Sequence, residues 1–307
     1  MQLLEKKYAK PFLKWAGGKT HLLEQFIKYF PAELKNGEIK NYYEPFLGSG
    51  AVFFFIAQNY RIERAFLSDI NEELILTFNA VKNDALSLID TLKNLKQEYY
   101  SINDNKKESY FYRIRDKYNK EKSRIDFSSY SSGWIDRAAQ MIFLNKTCYN
   151  GLFRLNKKGE FNVPVGRYKY PDILNEDNLL RVSETLQVAE IGLTDFERIK
   201  KNIRHNSFIY FDPPYRPLSR TANFTSYSKY DFGEEDQLRL ARLFKELGIN
   251  NNKLLLSNSD PKNENPDDNF FEKAFKGFRI KRVKANRMIN CDAGKRGSIN
   301  ELIITNY

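Results

Sequence analysis

The chain is poor in the residues that metal sites and covalent catalysis draw on. It holds two cysteines, Cys148 and Cys291, and two histidines, His21 and His205. Two cysteines cannot build a disulfide framework or a four-cysteine zinc site, and a reducing, cytoplasmic setting is the simplest reading. Two histidines weaken every Ser-His-Asp, Cys-His and multi-histidine metal hypothesis, so no metal is expected. No apolar run approaches the ~20 residues of a membrane span, so no membrane partner is expected. The first seven residues lack the apolar stretch of a signal peptide. No internal repeat or low-complexity tract is visible.

What the chain has is length and positive charge. Its 307 residues suit two domains, or one domain with a large insertion. Fifty Lys and Arg against 39 Asp and Glu leave a net charge of +11. That excess favours an anionic partner, with nucleic acid the first candidate. The 24 Phe and 19 Tyr can fill a core, but stacking on bases uses the same side chains.

Residues 39–69 form the clearest unit. A short apolar strand over 41–47 runs into Gly48-Ser-Gly50, then a buried helix over 51–60 and a second strand over 65–69. Residues 72–81, 85–99, 108–119 and 134–145 carry apolar side chains at helical spacing, with a polar break expected over 101–107. Residues 104–124 hold eight Lys or Arg and four Asp or Glu, which reads first as a solvated helix face. The pattern over 151–170 is that of a β-hairpin with a basic tip at Lys157 and Lys158. Strands are then expected over 188–193, 207–211, 253–257, 278–284 and 299–305, with helices over 234–247 and 269–275. The result is an α/β layer domain, 1–71 and 186–307, with a mostly helical insertion over 72–185.

Three motifs carry chemistry. In Glu44-Pro-Phe-Leu-Gly-Ser-Gly50, a strand, a Gly-x-Gly turn and a helix allow close backbone approach to a nucleotide-like ligand. Asp69, at the end of the next strand, is placed to accept hydrogen bonds from ribose hydroxyls. No third glycine follows, so S-adenosylmethionine fits as well as a dinucleotide. Lys14-Trp-Ala-Gly-Gly-Lys19-Thr imitates the tail of a phosphate-binding loop, but position 13 is Leu where that loop needs Gly, and no strand precedes it. The third motif is Asp212-Pro-Pro-Tyr215, at the carboxyl end of an apolar strand, where open α/β sheets place their sites. Its prolines fix the backbone and remove donors. Asp212 and the Pro213 carbonyl could accept both N–H groups of an exocyclic base amine, and Tyr215 could stack on the extruded base.

Taken together, the motifs KWAGGK (14–19), EPFLGSG (44–50), SDIN (68–71), NKTCYNGLFR (145–154), GEFNVPVGRYK (159–169), DPPYRPLSRTANFTSY (212–227), LLSNS (255–259) and ELIITNY (301–307) resemble the Dam family of DNA N6-adenine methyltransferases. The resemblance covers residues 11–307. It implies a Rossmann-like methyltransferase sheet with an inserted, mostly helical DNA-recognition domain carrying a β-hairpin. It implies that Trp15, Lys19, Phe46, Gly48, Gly50, Asp69, Asp195 and Asp212 bind S-adenosylmethionine, and that Asp212, Pro213 and Tyr215 are catalytic. It places the 151–168 hairpin in the major groove. Arg154 would then contact a guanine, Leu152 a thymine methyl, and Lys14, Asn150 and Tyr168 further base or backbone positions.

The expected activity is transfer of a methyl group from S-adenosylmethionine to adenine N6 in duplex DNA, within GATC, by base flipping and direct in-line attack. Methylation of cytosine N4, methylation of RNA adenine and a catalytically idle DNA-binding module stay open as alternatives. A monomer is expected, either solitary or paired with a separately acting restriction endonuclease. The segment from Arg216 to Tyr230 is long for a strand-to-helix connection and reads as a mobile lid. Residues 276–297, with eight Lys or Arg against Asp292 alone, read as a phosphate-binding stripe.

Overall fold

The structure, a computed structural model, describes residues 8–19, 22–216, 232–286 and 298–307. Among the described residues seven strands form one sheet: β1 (Asn41–Glu44), β2 (Arg64–Asp69), β3 (Ala189–Leu193), β4 (Ser207–Phe211), β5 (Lys253–Ser259), β6 (Arg279–Asn286) and β7 (Ser298–Thr305). Their spatial order is β3-β2-β1-β4-β5-β7-β6. Strands β1 to β5 are parallel, and β7 runs antiparallel between β5 and β6. The order reverses between β1 and β4, which creates a crevice at their carboxyl ends.

Alternation along each strand decides which side chain meets which layer. Tyr42, Phe208, Tyr210, Leu255 and Ile303 join one apolar cluster. Their neighbours Tyr43, Ile209, Phe211, Leu254, Leu256, Leu302 and Ile304 join the other. Both faces are covered, which is why the central strands read as unbroken apolar runs. The second face is closed by a helix over Glu234–Leu247, through Leu240, Leu243 and Phe244, and by a short one over Phe270–Ala274.

Eight helices precede these two among the described residues. In chain order they are α1 (Leu23–Phe26), α2 (Ala32–Lys35), α3 (Ala51–Asn59), α4 (Glu72–Asn83), α5 (Ala85–Ser101), α6 (Asp104–Glu121), α7 (Gly133–Thr147) and α8 (Glu176–Thr185). The later pair are α9 and α10. Asn71 caps α4 by accepting from Leu74 N (3.1 Å), with Glu72 and Glu73 in the first turn. Helix α4 lies on β2 and β3 and packs against α7 and α8. Helix α7 is buried on nearly every face, so it is the axis around which α4, α5 and α6 pack.

The expected polar break over 101–107 is shorter than the sequence suggests. Only Ile102 and Asn103 interrupt the helices, because Asp104 starts α6 and pairs with Lys107 (2.7 Å) in its first turn. Helix α8, whose short apolar face escaped the periodicity reading, is capped by Asn175 and buries Leu179 and Val182. The 151–168 segment is a hairpin closed by two isolated bridges, Cys148 to Val165 and Leu155 to Phe161, rather than by a regular ladder. Pro164, which lacks an N–H, falls between those bridges.

Deep inside the helical region Arg137 of α7 pairs with Glu73 of α4 through two hydrogen bonds, one of them from Nε to Oε2 at 2.9 Å. It also donates to the Tyr118 carbonyl of α6 and lies 3.4 Å from the centre of the Tyr118 ring. Three helices thus meet on one guanidinium. Removing one partner strands the other charge in an apolar interior. Arg137→Ala should therefore cost about 3–5 kcal/mol in chemical denaturation, and an apolar replacement of both Arg137 and Glu73 should cost clearly less. Equal losses from the single and double variants would show that packing, not the ion pair, joins these helices.

Candidate active site and nucleic-acid interface

The crevice is built by chain reversals at the strand ends. After β1, Gly48 and Gly50 adopt φ of +48° and +69°. Gly48 donates its N–H to Asp69 Oδ2 at the end of β2 (3.1 Å), and Asn71 N–H binds Asp69 Oδ1 (2.9 Å). The Trp15 indole lies against Gly48, where a Cβ would come within 3.2 Å of its ring. Burial raises the Asp69 carboxyl above its ordinary range, against the pull of these backbone donors. Next to β2, the chain leaving β3 places Asp195 where its side chain caps the turn at Glu197 N (2.9 Å) and meets Arg239 of α9 (3.2 Å). Phe46 stacks on Phe196 beside it, ring centres 5.3 Å apart.

Across the reversal point, β4 ends at Asp212. Its Oδ1 accepts from Lys19 Nζ (2.7 Å) and from Ser257 Oγ of β5 (3.0 Å). The Ser257 proton is used there, so Tyr210 Oη donates to Ser257 Oγ (2.9 Å). Among the described residues nothing donates to Asp212 Oδ2 or to the Pro213 carbonyl. The Pro214 carbonyl is taken by Gln237 of α9 (2.9 Å), which also accepts from Asn258 of β5 (3.2 Å). Lys19 is 2 % exposed, and its ammonium also reaches the Gly17 carbonyl (2.9 Å) and lies 4.8 Å from the Tyr215 ring centre. Burial works against its charge, but Asp212, Tyr210 and Glu301 outweigh that and hold its pKa above the ordinary lysine value. Glu301 of β7 is buried near the same group, and burial raises its carboxyl against the pull of Lys19. Among the described residues, neither the buried Tyr215 hydroxyl nor the buried Glu301 Oε2 has a completed hydrogen bond.

The structure therefore brings Lys19, Asp212 and Tyr215 into one cluster and Trp15, Gly48, Gly50 and Asp69 into a second beside it. Phe46 and Asp195 border the second. Sequence reasoning passed over Tyr210, Ser257, Gln237 and Glu301. Ser257 and Glu301 lay inside the quoted LLSNS and ELIITNY segments, but only strand pairing shows that they face Asp212.

The expected DNA-contacting residues lie at one joint. Asn145 of α7 holds the Lys14 backbone at both its N–H and carbonyl (2.8 Å each) and donates to the Gly151 carbonyl (2.9 Å). Gly151 has φ +65°, and a Cβ there would run into the Lys14 side chain. Lys14 Nζ lies 4.5 Å from the Tyr168 ring centre. Asn150 is exposed with φ +55°, and Leu152 is partly buried. Arg154 is exposed, its Nε bound to Asn162 Oδ1 (2.8 Å).

Of the expected lid, Arg216 pairs with Asp268 (2.6 Å) and Glu234 (3.0 Å), and 217–231 lie outside the described residues. The basic stripe is described over 276–286 only. There Arg282 is held by Asp260 (2.7 Å) and Glu272 (2.6 Å), so its charge is answered within the protein rather than left for phosphate.

A sheet in this order, with acids at the carboxyl ends of β2 and β4, defines a Rossmann-like methyltransferase fold. Residues 15–289 match the family described as D12 class N6 adenine-specific DNA methyltransferase, and the chain belongs to it. It is an S-adenosylmethionine-dependent enzyme that methylates adenine N6 in DNA. It is similar to the type II methyltransferase M.MjaIII of Methanocaldococcus jannaschii, with 50% identity over 299 residues, 97% of this chain and 99% of that one. M1.LlaDCHI of Lactococcus lactis subsp. cremoris, also a type II methyltransferase, is 37% identical over 100% of this chain and 99% of its own. The DNA adenine methylase of Haemophilus influenzae is 36% identical over 96% and 92%. The match is to the D12 class as a whole, broader than the Dam group.

Glu44, at the end of β1, accepts from Tyr42 Oη (2.7 Å). Burial, reinforced by the Asp212 charge, raises its carboxyl well above the ordinary range. The native state then keeps a proton that the unfolded chain sheds near pH ~4.3, so stability falls as pH rises toward the raised native value. Glu44→Gln cannot ionise and escapes this loss. Denaturation of the cofactor-free protein from about pH 5 to about pH 8 should show the variant gaining on the wild type as pH rises. A gap independent of pH would mean that Glu44 is ionised in the fold.

Proposed function

We propose that the chain methylates the adenine of GATC in duplex DNA, extruding the base and transferring the methyl group directly, with no covalent enzyme intermediate. The observation that carries this reading is the state of Asp212 and Pro213. Lys19 and Ser257 fix one carboxylate oxygen, while the other oxygen and the adjoining carbonyl have no described protein donor. The adenine amine has its lone pair delocalised into the ring. Accepting its two N–H groups at Asp212 Oδ2 and the Pro213 carbonyl favours a pyramidal nitrogen with an exposed lone pair, and the Tyr215 ring offers a stacking face. After transfer, the nitrogen sheds its surplus proton along one of these hydrogen bonds.

Bound S-adenosylmethionine supplies an electrophilic methyl group. The residues at the neighbouring strand ends fit that molecule. The absence of a side chain at Gly48 lets the Trp15 indole pack on the turn, the two Asp69 oxygens retain lone pairs for ribose hydroxyls, and Phe46 with Asp195 offers an aromatic face and an acceptor. In this reading Trp15, Lys19 and Gly50 complete the cofactor set. Residues 1–71 and 186–307 act as the catalytic unit, and 72–185 as the recognition unit. The GATC assignment rests on Arg154, exposed beside Asn150 and Leu152, and on Lys14 and Tyr168 at the same joint. The chain is taken to act as a cytoplasmic monomer, with a restriction endonuclease, where one accompanies it, working separately.

Asp212→Ala should abolish methylation of GATC duplexes, read by modification-sensitive sequencing, while specific DNA binding survives. Turnover within tenfold of the wild type would remove Asp212 from the reaction.

A further inference from the structure

The recognition hairpin lacks the ladder that would normally hold its register. Two isolated bridges, one at its base and one near its tip, and a tight turn, in which Gly159 N–H binds the Asn156 carbonyl (2.8 Å), are its own backbone frame. Phe161 lies at the second of those bridges. Its outward-facing backbone groups are not left to solvent. Asn119 of α6 accepts from Phe161 N–H at Oδ1 (2.8 Å) and donates from Nδ2 to the Phe161 carbonyl (3.0 Å). A primary amide that bonds both groups of one residue does what a neighbouring strand does.

We propose that Asn119 is a positioning residue for sequence recognition, standing in for the missing strand and fixing the orientation of Arg154. This inference rests on the reading that the 151–168 hairpin contacts DNA bases. The connection is short. Asn162 follows Phe161, donates its N–H to the Arg154 carbonyl (3.1 Å) and binds Arg154 Nε through its side chain (2.8 Å). A shift of Phe161 therefore moves the Arg154 guanidinium, whose planar fork must meet two acceptors at once. Asn119 itself sits on a fixed support. The preceding residue, Tyr118, is buried, packs edge-on to Phe161 and gives its carbonyl to Arg137. One turn away Lys122 reaches the Gly159 carbonyl (3.3 Å) and pairs with Glu72 (2.9 Å).

The test uses the full chain and four forms: wild type, Asn119→Ala, Arg154→Ala and the double variant. For each, kcat/KM is measured on a GATC duplex and on duplexes with one base of the site changed. Asn119→Ala should lower discrimination between cognate and altered sites by about ten-fold, as expected from two lost hydrogen bonds. S-adenosylmethionine affinity should not change. In the Arg154→Ala background the same substitution should have little further effect on discrimination. Hydrogen exchange at the Phe161 amide should accelerate in Asn119→Ala. Asn119→Asp keeps the acceptor but loses the donor, so it should fall between wild type and Ala in discrimination, and it serves if the alanine variant folds poorly. If Arg154→Ala relaxes discrimination and Asn119→Ala lowers all sites equally, the brace is wrong and the hairpin reading stands. If Arg154→Ala leaves the ratios unchanged, the hairpin reading fails and the brace fails with it.

Discussion

A buried ammonium needs a counter-charge, and in this fold Lys19 finds it in Asp212. That ion pair joins a loop near the start of the chain to the end of β4, at the point where the order of the sheet reverses. Much else at the crevice is arranged around it. Ser257 of β5 holds the same carboxylate oxygen, Tyr210 bonds Ser257 in turn, and Gln237 holds the Pro214 backbone from α9. Among the described residues this leaves one Asp212 oxygen and the Pro213 carbonyl as acceptors without a donor. Pre-oriented groups of this kind need no reorganisation when charge shifts in a reaction.

The segment carrying Lys19 also connects the crevice to the proposed recognition surface. Lys14 is clamped by Asn145 beside Gly151, and Trp15 lies between Gly48 and Phe153, on which it stacks at 5.4 Å. Six residues, 14–19, thus touch the hairpin at one end and Asp212 at the other. Helices α6 and α7, joined with α4 on Arg137, hold the hairpin through Asn119 and Asn145.

Much of this was legible in the residues. Strand β4 and helix α9 fall where the apolar runs place them, because a strand buried on both faces and an amphipathic helix leave unmistakable patterns. The glycine turn and Asp212-Pro-Pro-Tyr215 were legible because glycine and proline restrict the backbone locally. The supports were not. Ser257 reaches Asp212 because β5 pairs with β4, and Glu301 lies near it because β7 runs back between β5 and β6. Asn119 looked like one polar residue in a charged helix, and its partner Phe161 is 42 residues away. The stripe around Arg282 looked free for phosphate, yet its acidic partners lie 22 and 10 positions earlier in the chain.

If the Lys19–Asp212 pair acts as a single working unit, a double-mutant cycle on single-turnover methyl transfer shows it directly. Rates would be measured at saturating cofactor for wild type, Lys19→Met, Asp212→Asn and the combination. Strong non-additivity is expected, with the double variant about as slow as Asp212→Asn alone. Additive losses would contradict it, showing that Lys19 contributes to the reaction independently of the carboxylate it touches.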